Sequence, residues 1–193
     1  MKKTFVLLIA VLFTASVSFA NYADAPSFVT FVESKTISVS LKTFADNNVI
    51  VKLLDNSGSE ILTKKPSKKL SSYTFKLDEL PEGNYFIEME DDLRVVRQTI
   101  MIVGDAVYVD QVAKSTFKPT INFTGKKAKL NLLSLGEDVK ISFADPIGNV
   151  LFEENIKNAP SVNKVYDFMH LPVGNYFLNV KVGDRSYGYI VYR

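Results

Sequence analysis

The chain has 193 residues, no Cys, no Trp and a single His, with 23 basic against 21 acidic side chains. Disulfides, thiolate metal sites and cysteine nucleophiles are thereby excluded, and one His cannot assemble a multi-histidine zinc or copper site. At 47% hydrophobic and 23% charged residues, the chain is too apolar for intrinsic disorder and too evenly charged for a nucleic-acid binder.

Residues 1–20 read as a signal peptide. Lys2 and Lys3 form a positive start, an apolar run extends from Phe5 to Phe13, and Ser18-Phe19-Ala20 places small residues where a signal peptidase reads. The run is far shorter than the about 20 residues needed to span a bilayer, and no later segment is long enough, so no membrane span is expected. The expected location is the periplasm, the cell surface or the exterior. Cleavage after Ala20 removes two lysines and leaves 21 basic against 21 acidic side chains. That balance offers no electrostatic steering toward nucleic acid or anionic lipid. An exported chain without Cys must be held together by packing alone.

The remainder contains an internal repeat. Val49, Val51 and Leu53, followed by Asp55 and Gly58, recur as Val139, Ile141 and Phe143, followed by Asp145 and Gly148, at a displacement of 90. Leu80-Pro81-Glu82-Gly83-Asn84-Tyr85-Phe86 recurs as Leu171-Pro172-Val173-Gly174-Asn175-Tyr176-Phe177 at a displacement of 91. The same order of landmarks in both halves indicates two copies of one domain, residues 21–103 and 104–193.

Within each copy the apolar period is two. Val39 and Leu41, the Val49 run, Phe75 and Leu77, then Tyr85, Ile87 and Met89 alternate with more polar neighbours, as strands with one buried face do. In the second copy Leu130 and Leu132, the Val139 run, Tyr166 and Phe168, and Tyr176, Leu178, Val180 and Val182 repeat the pattern. Turn residues separate these runs at short, regular intervals, favouring a sandwich or barrel. Asp55-Asn56-Ser57-Gly58 and Asp145-Pro146-Ile147-Gly148 have the Asp and Gly of hairpin turns, with Pro146 where φ is pre-set. Asp55 to Glu60 lacks the twelve-residue oxygen pattern of an EF-hand, and no metal site is expected.

The Leu-Pro-x-Gly-Asn-Tyr segment resembles the tyrosine corner of immunoglobulin-like and fibronectin type III sandwiches. Pro81, Gly83 and Tyr85, and likewise Pro172, Gly174 and Tyr176, are expected to be structural, each phenol returning to the corner backbone. The combined pattern is similar to the C-terminal sorting domain of type IX secretion cargo in Bacteroidetes-type bacteria, over Val49 to Ile102 and equally over Val139 to Arg193. The resemblance implies small immunoglobulin-like sandwiches and, for a terminal copy, a secretion address attached to a larger cargo. This chain departs from that arrangement, because the pattern also occurs mid-chain and no separate cargo domain accompanies it. The expected fold is therefore all-β, two tandem immunoglobulin-like antiparallel β-sandwiches after a cleaved signal peptide.

The residues suggest binding rather than catalysis. His170 is a turn residue aligned with Glu79, and no Gly-x-Ser-x-Gly elbow accompanies it. The acidic pairs Asp91-Asp92, Glu137-Asp138 and Glu153-Glu154 are sequence neighbours, which point to opposite faces of a strand. No Gly-rich phosphate loop precedes a helix, and no cofactor or enzymatic activity is expected. Candidate partner-binding residues are Lys64, Lys65, Lys68 and Lys69 of a lysine loop and Tyr187, Tyr189 and Tyr192 of the last strand. A solvated loop and a buried strand face are the competing readings. Alternation places Tyr187 and Tyr189 on one face and Tyr192 on the other. The expected function is an exported, non-enzymatic interaction module of the bacterial envelope, with a protein or cell-surface glycan as partner. The alternatives are a type IX sorting element in the second domain and a glycan-binding accessory protein.

Overall fold

A computed structural model describes residues 24–42, 44, 48–67 and 70–193. The proposed signal peptide and Lys68 and Lys69 lie outside the described residues.

The alternating apolar residues fold into strands, and the turn residues join them. In the first unit the strands are β1 (Asp24–Pro26), β2 (Val29–Glu33), β3 (Thr36–Ser40), β4 (Ile50–Leu54), β5 (Glu60–Lys64), β6 (Ser72–Lys76), β7 (Gly83–Glu90), β8 (Arg94–Val103), β9 (Ala106–Val109) and β10 (Val112–Phe117). The second unit comprises β11 (Thr120–Thr124), β12 (Lys127–Leu132), β13 (Val139–Ala144), β14 (Val150–Ile156), β15 (Val162–Asp167), β16 (Asn175–Val182) and β17 (Arg185–Tyr192). Every ladder is antiparallel.

In the second unit a three-stranded sheet, β11-β12-β15, faces a four-stranded sheet, β14-β13-β16-β17. The first unit repeats this arrangement as β2-β3-β6 facing β5-β4-β7-β8. Successive strands cross between sheets at the same points of the repeat, the connectivity of an immunoglobulin-like sandwich. The chain is all-β and consists of tandem sandwiches of this class.

The inward residues of each strand fill the cores. Ile37, Val39, Val51, Leu53, Phe75, Leu77, Ile87, Met89, Ile100 and Ile102 form the first, and Leu130, Leu132, Val139, Ile141, Phe168, Leu178, Val180 and Val182 form most of the second. Each such side chain contributes about 1.5–3 kcal/mol on burial, the main favourable term available without disulfides. Phe143 stacks between Tyr176 and Phe168, with centroids 5.4 and 6.3 Å away.

The passage between units differs from the boundary expected at Val103-Gly104. Gly104, at φ +55°, turns the chain back as a hairpin, so β9 pairs with the end of β8 and β10 with its start. Val107 and Ala113 enter the first core, and β1 closes the far side of β10. The first sheet thus runs to Phe117, and the chain crosses at Lys118-Pro119. Hydrogen bonding along the long strand β8 keeps residues 104–117 with the first sheet, although the repeat landmarks alone divide the chain at 103/104.

Candidate interaction surfaces

The two corners have the geometry their sequence implies. The Tyr85 hydroxyl donates to the Pro81 carbonyl at 2.9 Å, and the Tyr176 hydroxyl to that of Pro172 at 2.9 Å. Both rings lie in the cores, so the bond satisfies a phenol that would otherwise be buried unpaired. Gly83 has φ +149°, a conformation that disfavours a side chain. Gly174 packs beneath the Tyr176 ring, which lies 3.8 Å from the position of a Cβ there.

Lys64 and Lys65 belong to the first unit, and the three tyrosines to the last strand of the second. Lys64 ends the edge strand β5 and is half-buried, and Lys65 is exposed. Tyr187 packs against the second core, and its hydroxyl has no hydrogen-bond partner among the described residues. Burial pushes its ionisation above the usual phenol range. Tyr189 packs beside it and donates to the Pro119 carbonyl at 2.7 Å. Tyr192 alone of the three is exposed.

A polar joint between the units was not legible in the sequence. Glu88 points outward from β7, yet only 3% of it is exposed, because the β16–β17 hairpin of the second unit lies over it. Its carboxylate accepts from Arg97 Nε at 2.5 Å and from the Arg185 guanidinium. Arg97 also reaches Asp184 at 3.2 Å, and Lys114 pairs with Glu137 at 2.6 Å. A cleft of about 300 Å³, lined by Val95, Arg97, Lys114, Thr116, Asp184 and Arg185, lies along this joint. Two arginines sharing one buried carboxylate compensate its desolvation and fix the hairpin's position.

The crossing itself is tied down. Lys118 Nζ pairs with Glu90 at 2.8 Å and donates to the Asp91 carbonyl at 2.6 Å, while Lys52 meets Glu90 at 2.9 Å. Partial burial pushes the Glu90 carboxyl upward, but the hydrogen bonds and charges of Lys118 and Lys52 prevail and hold it below its ordinary value of 4.5.

A second concavity, of about 230 Å³, opens on the flank of the second sandwich and is lined by Phe143, Leu151, Phe152, Tyr166, Phe168 and Leu171. Beside it Lys164 pairs with Glu154 at 2.6 Å, and the Tyr166 hydroxyl meets Glu154 at 3.4 Å. Burial, followed by the Glu154 charge, drives the Tyr166 phenol well above its usual range. His170 is exposed. Among the described residues no three metal-ligating side chains converge, and no helix is long and apolar enough to cross a membrane.

The family model of the secretion system C-terminal sorting domain matches residues 33–103, the first sandwich from the end of β2 through β8. No curated protein matches the chain. Among solved structures, the BSP domain of a biofilm associated protein is 14% identical, with 86% of this chain and 30% of that one covered and a TM-score of 0.28. A two-domain fibronectin type III segment of chicken tenascin is 10% identical, covering 86% of this chain and 96% of that one at a TM-score of 0.30. The chicken CNTN1 FN1–FN3 domains are 10% identical, covering 89% and 66% at a TM-score of 0.29. Scores this low leave the fold to be read from the strands. The chain is built of tandem immunoglobulin-like sandwiches, the first of which is similar over residues 33–103 to secretion system C-terminal sorting domains.

Proposed function

We propose that this chain is an exported interaction module of the bacterial envelope, a non-enzymatic scaffold that engages a protein through its sheet edges and loops. The observation that carries this reading is the match of the first sandwich to the secretion system C-terminal sorting domain family, which associates the chain with export. The matched copy is followed by a complete second sandwich, an arrangement suited to a scaffold rather than to a terminal tag. Edge strands such as β14, which pairs on one side only among the described residues, offer backbone groups to a partner strand. Lys65 and Tyr192 supply exposed side chains. Photo-crosslinkers placed in turn at Lys65 and Tyr192 in the envelope of the native host test this reading. Specific adducts with one envelope protein are expected, and adducts no different from those of a random surface position would reject it.

The second reading is a sorting element, and the family match favours the first sandwich over the second for that role. A chain ending at Pro119 separates the two. Export of this form with the full-length distribution leaves the second unit without a sorting role, whereas its periplasmic retention assigns the address there.

A further inference from the structure

The two sandwiches differ systematically on one surface. On the outer face of the second unit, Val150, Ala144, Phe177 and Ile190 are successive cross-strand neighbours on β14, β13, β16 and β17. Ile147 and Val173 extend this row at one end, where the Pro146 turn meets the Gly174 corner. Tyr192, opposite Asn175, continues it. Ile147, Val150, Val173, Phe177, Ile190 and Tyr192 are each between 46 and 84% exposed.

The repeat supplies an internal control. Ile147, Val150, Val173 and Ile190 correspond to Ser57, Glu60, Glu82 and Thr99 in the first unit. The same sandwich forms there with polar residues, so folding does not require the apolar ones. Phe177 corresponds to Phe86, which lies under the Arg97 guanidinium at 5.0 Å. The counterpart of Arg97 is Gly188, and that of Glu88 is Asn179. The second face therefore lacks both the cation that covers its phenylalanine and the ion pair that receives a hairpin in the first unit.

Six side chains with these exposures present on the order of 700 Å² of apolar surface, above the roughly 300–600 Å² of the largest patch on a typical monomer. That is close to the about 800 Å² that a standard interface takes from each partner. None of the six is charged; the Lys140–Glu153 ion pair and Lys181 lie further along the same sheet face, so the apolar row itself contains no pattern that selects an acidic or basic partner. Interfaces between identical chains are the most apolar class, and a two-fold axis sets each apolar residue against its own patch. The formal net charge is only +2 for the whole chain and zero once the two lysines of residues 1–20 are removed, so copies repel one another weakly.

We propose that the outer face of the β14-β13-β16-β17 sheet is the interface of a homodimer, two copies packing Val150, Phe177 and Ile190 across a two-fold axis. The proposal concerns assembly rather than export; because it makes Tyr192 a contact between copies, a crosslinker at Tyr192 would report a second copy of this chain, and the Lys65 position alone would report the envelope partner.

Sedimentation of the exported, purified protein over micromolar concentrations tests it. Ile147→Ser, Val150→Glu, Val173→Glu and Ile190→Thr together transplant the first unit's residues onto the second. Gly188→Arg separately restores the missing cover of Phe177, and no atom lies within 4 Å of a Cβ at that position. Val165→Thr makes the same kind of exchange on the outer face of the other sheet, where the first copy has Thr74. The wild type and Val165→Thr are expected at twice the monomer mass. The fourfold variant and Gly188→Arg are expected as monomers that still unfold in one cooperative transition, at a melting temperature that no longer rises with protein concentration. If the fourfold variant fails to fold, Gly188→Arg alone decides. A monomeric wild type would overturn the proposal and leave the face to a different protein, and a dimer that survives Gly188→Arg would overturn it as well.

Discussion

Arg185, at the start of the last strand, donates to the carboxylate of Glu88, a residue 97 positions earlier on the outer face of the first sandwich. Arg97 approaches the same carboxylate from the neighbouring strand. One buried anion therefore holds together two cations from different units, and the β16–β17 hairpin has one preferred seat.

Replacing Glu88 with Gln leaves two guanidiniums facing each other across the joint without their anion. Breaking a buried ion pair costs about 3 kcal/mol when it is fully enclosed, and the partly exposed arginines reduce this to about 2 kcal/mol. We predict a lower denaturation midpoint and a larger radius of gyration by small-angle scattering as the units separate. A Glu88→Gln protein with wild-type dimensions would show that the joint does not set the interdomain geometry.

The corner tyrosines differ from Tyr189, whose hydroxyl reaches Pro119, in having only a local partner. Tyr176→Phe removes one hydroxyl and leaves the Pro172 carbonyl without it, a loss of about 1 kcal/mol. Urea unfolding should register that loss with unchanged far-ultraviolet circular dichroism, and an unaltered midpoint would argue against a stabilising corner. Tyr85→Phe should behave alike in the first unit through Pro81.

Gln98 is only 1% exposed and accepts from the Phe28 and Val29 amides at 2.9 and 3.0 Å, while its amide donates to Ser27 Oγ and the Asp110 carbonyl. Gln98→Leu strands two buried amides, each at a cost of about 1–3 kcal/mol. The sum is expected to exceed the effect of either corner tyrosine. Hydrogen exchange should speed up first at Phe28 and Val29, and protection there equal to the wild type would contradict the assignment. The repeat places Tyr189 at the equivalent position, where its bond to Pro119 fastens the entry of the second unit in the same way.

Acid should loosen the crossing between units. The folded Glu90 carboxyl is held below 4.5, so its stabilising contribution is complete above that pH. The contribution is lost as pH falls through the lowered value, because the unfolded chain then takes up the proton first. Melting temperatures measured from neutral pH to pH 3 should fall less steeply in Lys118→Met than in the wild type, since that variant lacks a cation that lowers Glu90. Parallel profiles would remove Lys118 from this role.

Local chemistry is what the sequence determined by itself. A period of two, the Asp-x-x-Gly turns and the Leu-Pro-x-Gly-Asn-Tyr corners act over a few residues, so they announce strands, hairpins and the sandwich class without reference to distant partners. The repeat made the same evidence available twice. Gln98, Glu88 and Arg185 gave no comparable signal, because an outward or polar strand residue looks the same in sequence whether water or another unit covers it. Tertiary structure alone decided that Gly104 makes a hairpin within the first sheet rather than the start of the second unit, that Tyr189 fastens a connector, and that the second unit leaves bare the face the first one covers. Each depends on which surfaces meet across tens of residues, and that is settled by packing and desolvation rather than by local propensity.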